Sequence, residues 1–268
     1  TAGTPADASR GPNAASARVM GGGSAQIAAH YVVSPLEGIR AALSNANSVS
    51  HAVGCRHNRL IEVAKGKITV EYFKGRGCRG TPLHVETVDK GEFFWFELPA
   101  AELDPTDFSA RMTMQFVPGE SGDHVFGMTN AGLARLFVDG ALMVDGHEGW
   151  TRGENYFGTA NDEQRGSVAL EAGRAYAVTV EYEPSIASGE GINLIAVRFG
   201  VEKPLGEADI EAAVETARNA DLALLFVGRD GEWDTEGLDL PDMRLPGRQE
   251  ELIERVAAAN ANTVVVLQ

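Results

Sequence analysis

The sequence predicts a partial α/β domain interrupted by an all-β sandwich, and three observations carry that prediction. Helix-to-strand patterns occur toward both ends of the 268-residue chain. Between them, period-2 segments follow one another at close spacing with almost no helical period, the pattern of a sandwich of short strands. The change of pattern falls near Asn58 and again after Glu202, which divides the chain into residues 1–57, 58–204 and 205–268. The outer two form the α/β part and the middle one the inserted β part.

Composition narrows the function classes. Apolar residues make up 44% and charged residues 23%, a balance that supports a buried core rather than disorder. The net charge of −15 argues against affinity built on phosphate neutralisation, which needs a basic face. No nucleic-acid partner is therefore expected, and a neutral ligand fits better. The longest apolar runs fall far short of a bilayer span and no signal-peptide pattern opens the sequence, so no membrane partner is expected. The protein reads as soluble, with cytoplasmic, periplasmic and secreted compartments all open, and its oligomeric state is open too, a homo-oligomer included. Cys55 and Cys78 match no C-x-x-C spacing and read as small core residues that could pair only if the fold brings them together.

Taken in order, residues 1–12 are rich in Thr, Ala, Gly, Pro and Ser without a period and read as irregular. Gly21-Gly22-Gly23-Ser24 lacks the spacing of a phosphate cradle or a nucleophile elbow and reads as a loop whose backbone can approach another group closely. Ser34-Pro35-Leu36-Glu37 has a capping residue, Pro at the first helical position and Glu three residues after the cap, so a short helix runs to about Leu43. A strand follows over 48–53. The β block then places strands at 68–73, 84–88, 93–98, 110–117, 134–138, 142–144, 167–170, 175–182 and 192–199, with Asp139-Gly140 as a hairpin turn. Beyond it, Ile210, Ala213, Val214 and Ala217 recur at helical spacing, so a helix over 207–220 feeds a buried strand at 222–227. A second helix over 247–260 and a last strand at 263–268 complete the order. The chain stops within that apolar run, and a piece of a longer protein is expected.

The strand at 222–227 opens into residues 228–239, Gly-Arg-Asp-Gly-Glu-Trp-Asp-Thr-Glu-Gly-Leu-Asp. Asp230, Glu232, Asp234 and Glu236 crowd four acids into a loop at the end of a sheet strand. The spacing fails the calcium-loop pattern, because Thr235 stands where glycine is required, so no metal and no cofactor is expected. A solvated acidic loop remains one reading. The other is general acid/base work: a carboxyl beside Trp233 and further acids would be pushed upward by desolvation and like charge, as suits a proton donor. In the β block, Trp150, Tyr156 and Phe157 fall in the longest aperiodic stretch, 145–165, where rings could stack on sugars or pack locally. Trp95 lies in clean alternation and reads as core, and His147 as a solvated loop residue.

A wider set of residues carries a resemblance. Gly-Pro-Asn-Ala at 11–14, Gly-Gly-Gly-Ser-Ala at 21–25, Val-Ser-Pro-Leu-Glu-Gly at 33–38, Ala-Val-Gly-Cys at 52–55, Phe-Val-Gly at 226–228, Glu-Trp-Asp-Thr-Glu-Gly at 232–237, Leu-Pro-Gly at 245–247 and Asn-Thr-Val-Val-Val-Leu at 262–267 occur in one order. Together they resemble the second, α/β-sandwich domain of glycoside hydrolase family 3 β-glucosidases. The middle block, through Leu-Phe-Val-Asp-Gly at 136–140 and Leu-Glu-Ala-Gly-Arg-Ala-Tyr at 170–176, resembles the protective-antigen-type β-sandwich that some members insert there.

The resemblance implies a retaining mechanism with an aspartate nucleophile from an N-terminal barrel and Glu236 as the acid/base. It implies that Gly22, Gly23 and Ser24 face the substrate cleft; Trp233 and Asp239 are read as substrate-binding supports of the acid loop, and Trp150, from its place in the aperiodic stretch, as a candidate sugar contact. The inserted module would wall the leaving-group side. The implied ligand is a β-linked oligosaccharide or glucoside, and the implied partner is the catalytic barrel, which nothing in these residues resembles; the chain by itself is expected to be inactive. Leu240 stands where the family has Arg, so the ion pair that would steady Asp239 lacks its donor there, and no apolar strand precedes residue 11. The competing reading is a non-catalytic carbohydrate-binding or scaffold module.

Overall fold

The structure, a computed structural model, describes residues 7–10, 12–17, 29–185, 194–234 and 239–268. In chain order the strands are β1 (Asp7–Arg10), β2 (Val49–Ala52), β3 (Lys65–Lys74), β4 (His84–Lys90), β5 (Glu92–Phe94), β6 (Phe108–Phe116), β7 (Gly122–Ala131), β8 (Leu133–Val138), β9 (Ala141–Gly146), β10 (Gln164–Leu170), β11 (Tyr176–Glu183), β12 (Ala196–Glu202), β13 (Leu222–Val227) and β14 (Thr263–Leu267). The helices are α1 (Pro35–Ala42), the short α2 (Asn155–Gly158), α3 (Glu207–Arg218) and α4 (Gln249–Ala259). Two compact units divide the chain, Thr1–Arg59 with Leu205–Gln268 in the first and Leu60–Pro204 in the second.

The first unit holds a four-stranded sheet in the order β14-β13-β1-β2, with every pair parallel. Its helices follow from local chemistry. Pro35 opens α1, the Ser34 hydroxyl accepts the Glu37 N–H, and the Glu37 carboxylate accepts the Ser34 N–H at 2.8 Å, closing the capping box. The apolar faces of α3 and α4 supply Ile210, Ala213, Val214, Ala217, Leu252 and Val256 to a core completed by Cys55, Ala223 and Leu225. Gly54 is what lets the chain pass beneath them: at φ 77, a Cβ there would sit 2.9 Å from the Leu252 side chain.

One sequence expectation is overturned in this sheet. Residues 1–12 read as irregular, with no strand before residue 11, yet Asp7–Arg10 is a strand lying between β13 and β2. Asp-Ala-Ser-Arg has no apolar run to announce it. Its conformation comes from the two strands whose pairing groups it satisfies, a tertiary demand that outweighs β propensity.

The second unit contains a four-stranded sheet, β10-β7-β12-β5, and a six-stranded sheet, β4-β3-β6-β11-β8-β9. All neighbours are antiparallel. Alternate residues of both sheets meet in one core that includes Ile68, Val70, Tyr72, Phe108, Met112, Phe126, Met128, Leu136, Val180 and Phe199. Asp139 and Gly140 join β8 to β9 with φ of 48° and 78°, the pair of positive values a two-residue type I′ hairpin requires. Trp95 packs against the core and donates its indole N–H to the Tyr72 hydroxyl at 3.0 Å.

Two strand expectations are corrected. The strand read over 93–98 is confined to Glu92–Phe94, because β12 supplies partners only from Ala196 to Arg198. The long β7 lay outside the predicted set; it is paired on both sides and buried without alternation from Phe126 to Ala131, so it carries no period-2 signal. Cys55 and Cys78 are both free and buried. Among the described residues no helix is long and apolar enough to cross a membrane.

Candidate active site

The acidic loop is rooted by backbone geometry before any acid appears. Gly228 follows β13 directly at φ 147, and a Cβ there would fall 1.8 Å from the Gln268 carbonyl oxygen, so glycine is required. Its N–H donates to Gln249 Oε1 at 2.8 Å, and Gln249 Nε2 donates to the Gly228 carbonyl at 2.8 Å and to the Pro246 carbonyl at 2.9 Å. Gln249 is the first residue of α4 and is wholly buried. The strand end and the helix start are thereby fixed to one another through a single amide.

From this root the chain makes a tight turn closed by Asp230. The Asp230 carboxylate accepts the Glu232 N–H at 3.0 Å, and its carbonyl accepts the N–H groups of Trp233 and Asp234, each at 3.0 Å. This is the aspartate turn chemistry that lets a short side chain replace a backbone partner. The Asp230 side chain is 8% exposed, and its second oxygen lies 3.7 Å from Nε2 of His57, whose side chain is 1% exposed. Trp233 returns to the same residue, its indole N–H donating to the His57 carbonyl at 2.5 Å.

Arg229 works on both limbs of the loop. Its Nη1 lies 3.8 Å from the Asp234 carboxylate, and its Nη2 donates to the carbonyls of Asp242 at 3.3 Å and Arg244 at 3.2 Å. The returning limb is further shaped by Asp242, whose carboxylate accepts the Arg244 N–H at 2.8 Å. The two limbs on either side are thereby tied to one another through Arg229.

Not every predicted site residue falls where geometry is given. Glu236 lies outside the described residues, as do Gly22, Gly23 and Ser24. Trp233 is half-buried, Asp239 is exposed and the adjacent Leu240 is half-buried. Trp150 belongs to the second unit, where its indole N–H donates to the Asn130 carbonyl at 3.1 Å. The structure brings together Asp230, Trp233 and His57. Among the described residues no cluster of three or more His, Cys, Asp or Glu side chains is arranged to hold a metal.

Sequence reasoning missed His57 and Arg229. Arg229 had a legible signal, a cation next to the turning glycine in a segment otherwise acidic. His57 had none, because its partners lie far along the chain.

Residues 8–268 match the profile of the glycosyl hydrolase family 3 C-terminal domain, and the chain belongs to that family. A β-glucosidase of Rhizobium radiobacter is 74% identical over 258 residues, which cover 96% of this chain and 32% of that protein. A probable β-glucosidase I of Aspergillus clavatus is 34% identical over 275 residues, covering 96% of this chain and 33% of that protein. Among solved structures, the Kluyveromyces marxianus β-glucosidase superposes with a TM-score of 0.87 at 31% identity, covering 98% of this chain and 34% of that one. A structure of the same enzyme in complex with glucose gives 0.85 at 32% identity. The chain spans about a third of the length of these relatives.

Proposed function

We propose that the protein carrying this chain is a retaining β-glucosidase-type glycoside hydrolase, and that this chain supplies its general acid/base, Glu236. The observation that carries the proposal is an acidic loop rooted at the carboxyl end of a parallel strand, in a chain 74% identical to a β-glucosidase. Ligand chemistry in open α/β sheets collects at that end of the strands. In the retaining reaction a carboxylate on the barrel attacks the anomeric carbon while Glu236 gives its proton to the departing glycosidic oxygen. Water then displaces the sugar from the enzyme ester and yields a proton back to Glu236. Trp233 and Asp239 support the loop, Gly22, Gly23 and Ser24 line the cleft, and the substrate is a β-linked glucoside or oligosaccharide.

The second unit, in this proposal, is an inserted β-sandwich of the protective-antigen type that contacts carbohydrate. Its aperiodic stretch supports that role. Tyr156 and Phe157 both have left-handed backbones, φ 53° and 58°, and Phe157 is 72% exposed. Phe94 meets the Tyr156 ring edge-on at 4.7 Å and stacks with Phe96, and Phe157 follows Tyr156 in sequence. A sequence pays such backbone strain where the presented side chains have a task.

The test is Glu236→Gln in the full-length protein. Turnover of an alkyl glucoside, whose leaving oxygen needs protonation, should fall by about 10²–10⁴-fold, and that of a dinitrophenyl glucoside far less. Equal loss on both substrates would count against the acid role.

A further inference from the structure

We infer that Arg229 and the His57–Trp233 contact form a two-sided clamp on the neck of the acidic loop, positioning the general acid without touching substrate; the inference rests on the assignment of Glu236 above. On the entering side, Trp233 is three positions before Glu236 in sequence, and its indole is held by the His57 carbonyl at 2.5 Å. His57 is itself fixed, with its side chain buried against Asp230. On the returning side, the Arg229 guanidinium donates to the carbonyls of Asp242 and Arg244. The same guanidinium faces the Asp234 carboxylate on the entering side at 3.8 Å. One planar cation therefore spans both stems, a geometry that the single ammonium of lysine cannot reproduce.

Residue 240 is leucine, so no cation directly follows Asp239 in sequence. Arg229 supplies a guanidinium to the returning limb from the opposite stem. The two ties, at Trp233 and Asp234 on one limb and at Asp242 and Arg244 on the other, bracket Glu236 in sequence. A displacement of about 1 Å in a reacting group can lower a rate about 10²-fold, so the clamp's effect should appear in the proton-transfer step.

The experiment measures kcat/KM of the full-length protein on β-glucosides of rising leaving-group pKa, from dinitrophenyl through nitrophenyl to methyl. Glu236→Gln serves as the reference, and Arg229→Gln, Arg229→Lys and Trp233→Phe are the test variants. We expect Arg229→Gln and Trp233→Phe to lose roughly 10–100-fold on the methyl glucoside and under about threefold on the dinitrophenyl one, with Arg229→Lys between wild type and Arg229→Gln. A merely structural role would lower all substrates alike. Such parallel loss in both test variants, alongside a steep dependence in Glu236→Gln, overturns the clamp and leaves the acid assignment standing. A flat dependence in Glu236→Gln removes the acid assignment and the clamp with it. If circular dichroism shows Arg229→Gln unfolded, Trp233→Phe decides, since it deletes the indole N–H and leaves a smaller aromatic ring in its place.

Discussion

Gly228 and Gln249 exchange two hydrogen bonds, each 2.8 Å long, so that one side-chain amide satisfies both backbone groups of the residue where β13 ends. Both partners are buried, and the third bond, to the Pro246 carbonyl, uses the remaining amide hydrogen. Replacing the amide by an isosteric hydrocarbon would strand these groups away from water. Gln249→Leu should therefore lower stability by roughly 2–6 kcal/mol, the sum of about two unsatisfied backbone groups. Urea unfolding, followed by tryptophan fluorescence, measures it; a change under about 1 kcal/mol would mean that water reaches the site.

The same root makes a sharper demand on glycine. At Gly228 an added methyl meets the Gln268 carbonyl at 1.8 Å, whereas at Gly173, with φ 77, nothing lies within 4 Å. Both positions carry backbone strain for an alanine, and only one carries a collision. Gly173→Ala should cost about 1 kcal/mol, and Gly228→Ala at least about 3 kcal/mol, strain and overpacking together. Paired thermal melts of the two variants test the difference. Equal losses would show that the end of β14 can move aside.

How much of this was legible in sequence depended on how local each signal was. The α1 cap was readable because Ser34, Pro35 and Glu37 contain the whole device within four positions. β13 and the acidic loop were readable because a buried apolar run ends at a glycine. β7 was not, since burial on both faces erases alternation, and β1 was not, since its four residues become a strand only between two others. His57 became part of the site through Asp230 and Trp233, contacts that exist only after the first and last segments of the chain have come together. The loop's place after a buried strand could be read from sequence, and the contacts of Arg229 and His57 that tie it could not.

The two thiols give a pH-dependent prediction. Burial pushes Cys55 up to about 11, with Arg248 opposing and Glu251 assisting more weakly. Burial also pushes Cys78 up to about 11, partly offset by its hydrogen bond with Ser109. Both are therefore neutral thiols in the folded protein at pH 8. Iodoacetamide should label neither in native protein and both in guanidinium, read by peptide mass spectrometry, because the thiolate is the reactive form. The sign for stability follows: the unfolded thiols ionise near 9 and the folded ones near 11, so the unfolded state binds fewer protons between those values. Stability should fall as pH rises from 9 to 11, and a Cys55→Ala, Cys78→Ala double variant should show a shallower fall. Fast native labelling of either cysteine at pH 8 would contradict its burial.

Phe157 offers a separation of stability from ligand contact. Its backbone is left-handed, φ 58° and ψ 36°, between Tyr156 at φ 53 and Gly158 at φ 71. The turn is held by the Tyr156 carbonyl, which accepts the Thr159 N–H at 3.1 Å and the Thr159 hydroxyl at 2.6 Å. A non-glycine residue in that conformation costs about 1–2 kcal/mol, and the 72% exposed ring recovers little of it by burial. Phe157→Gly should therefore stabilise the fold by about 1 kcal/mol, seen as a higher melting temperature. If the ring contacts sugar, the same variant should raise KM for a β-linked disaccharide more than for a small aryl glucoside. Stabilisation with an unchanged KM on both substrates would assign the strained turn to something other than carbohydrate contact.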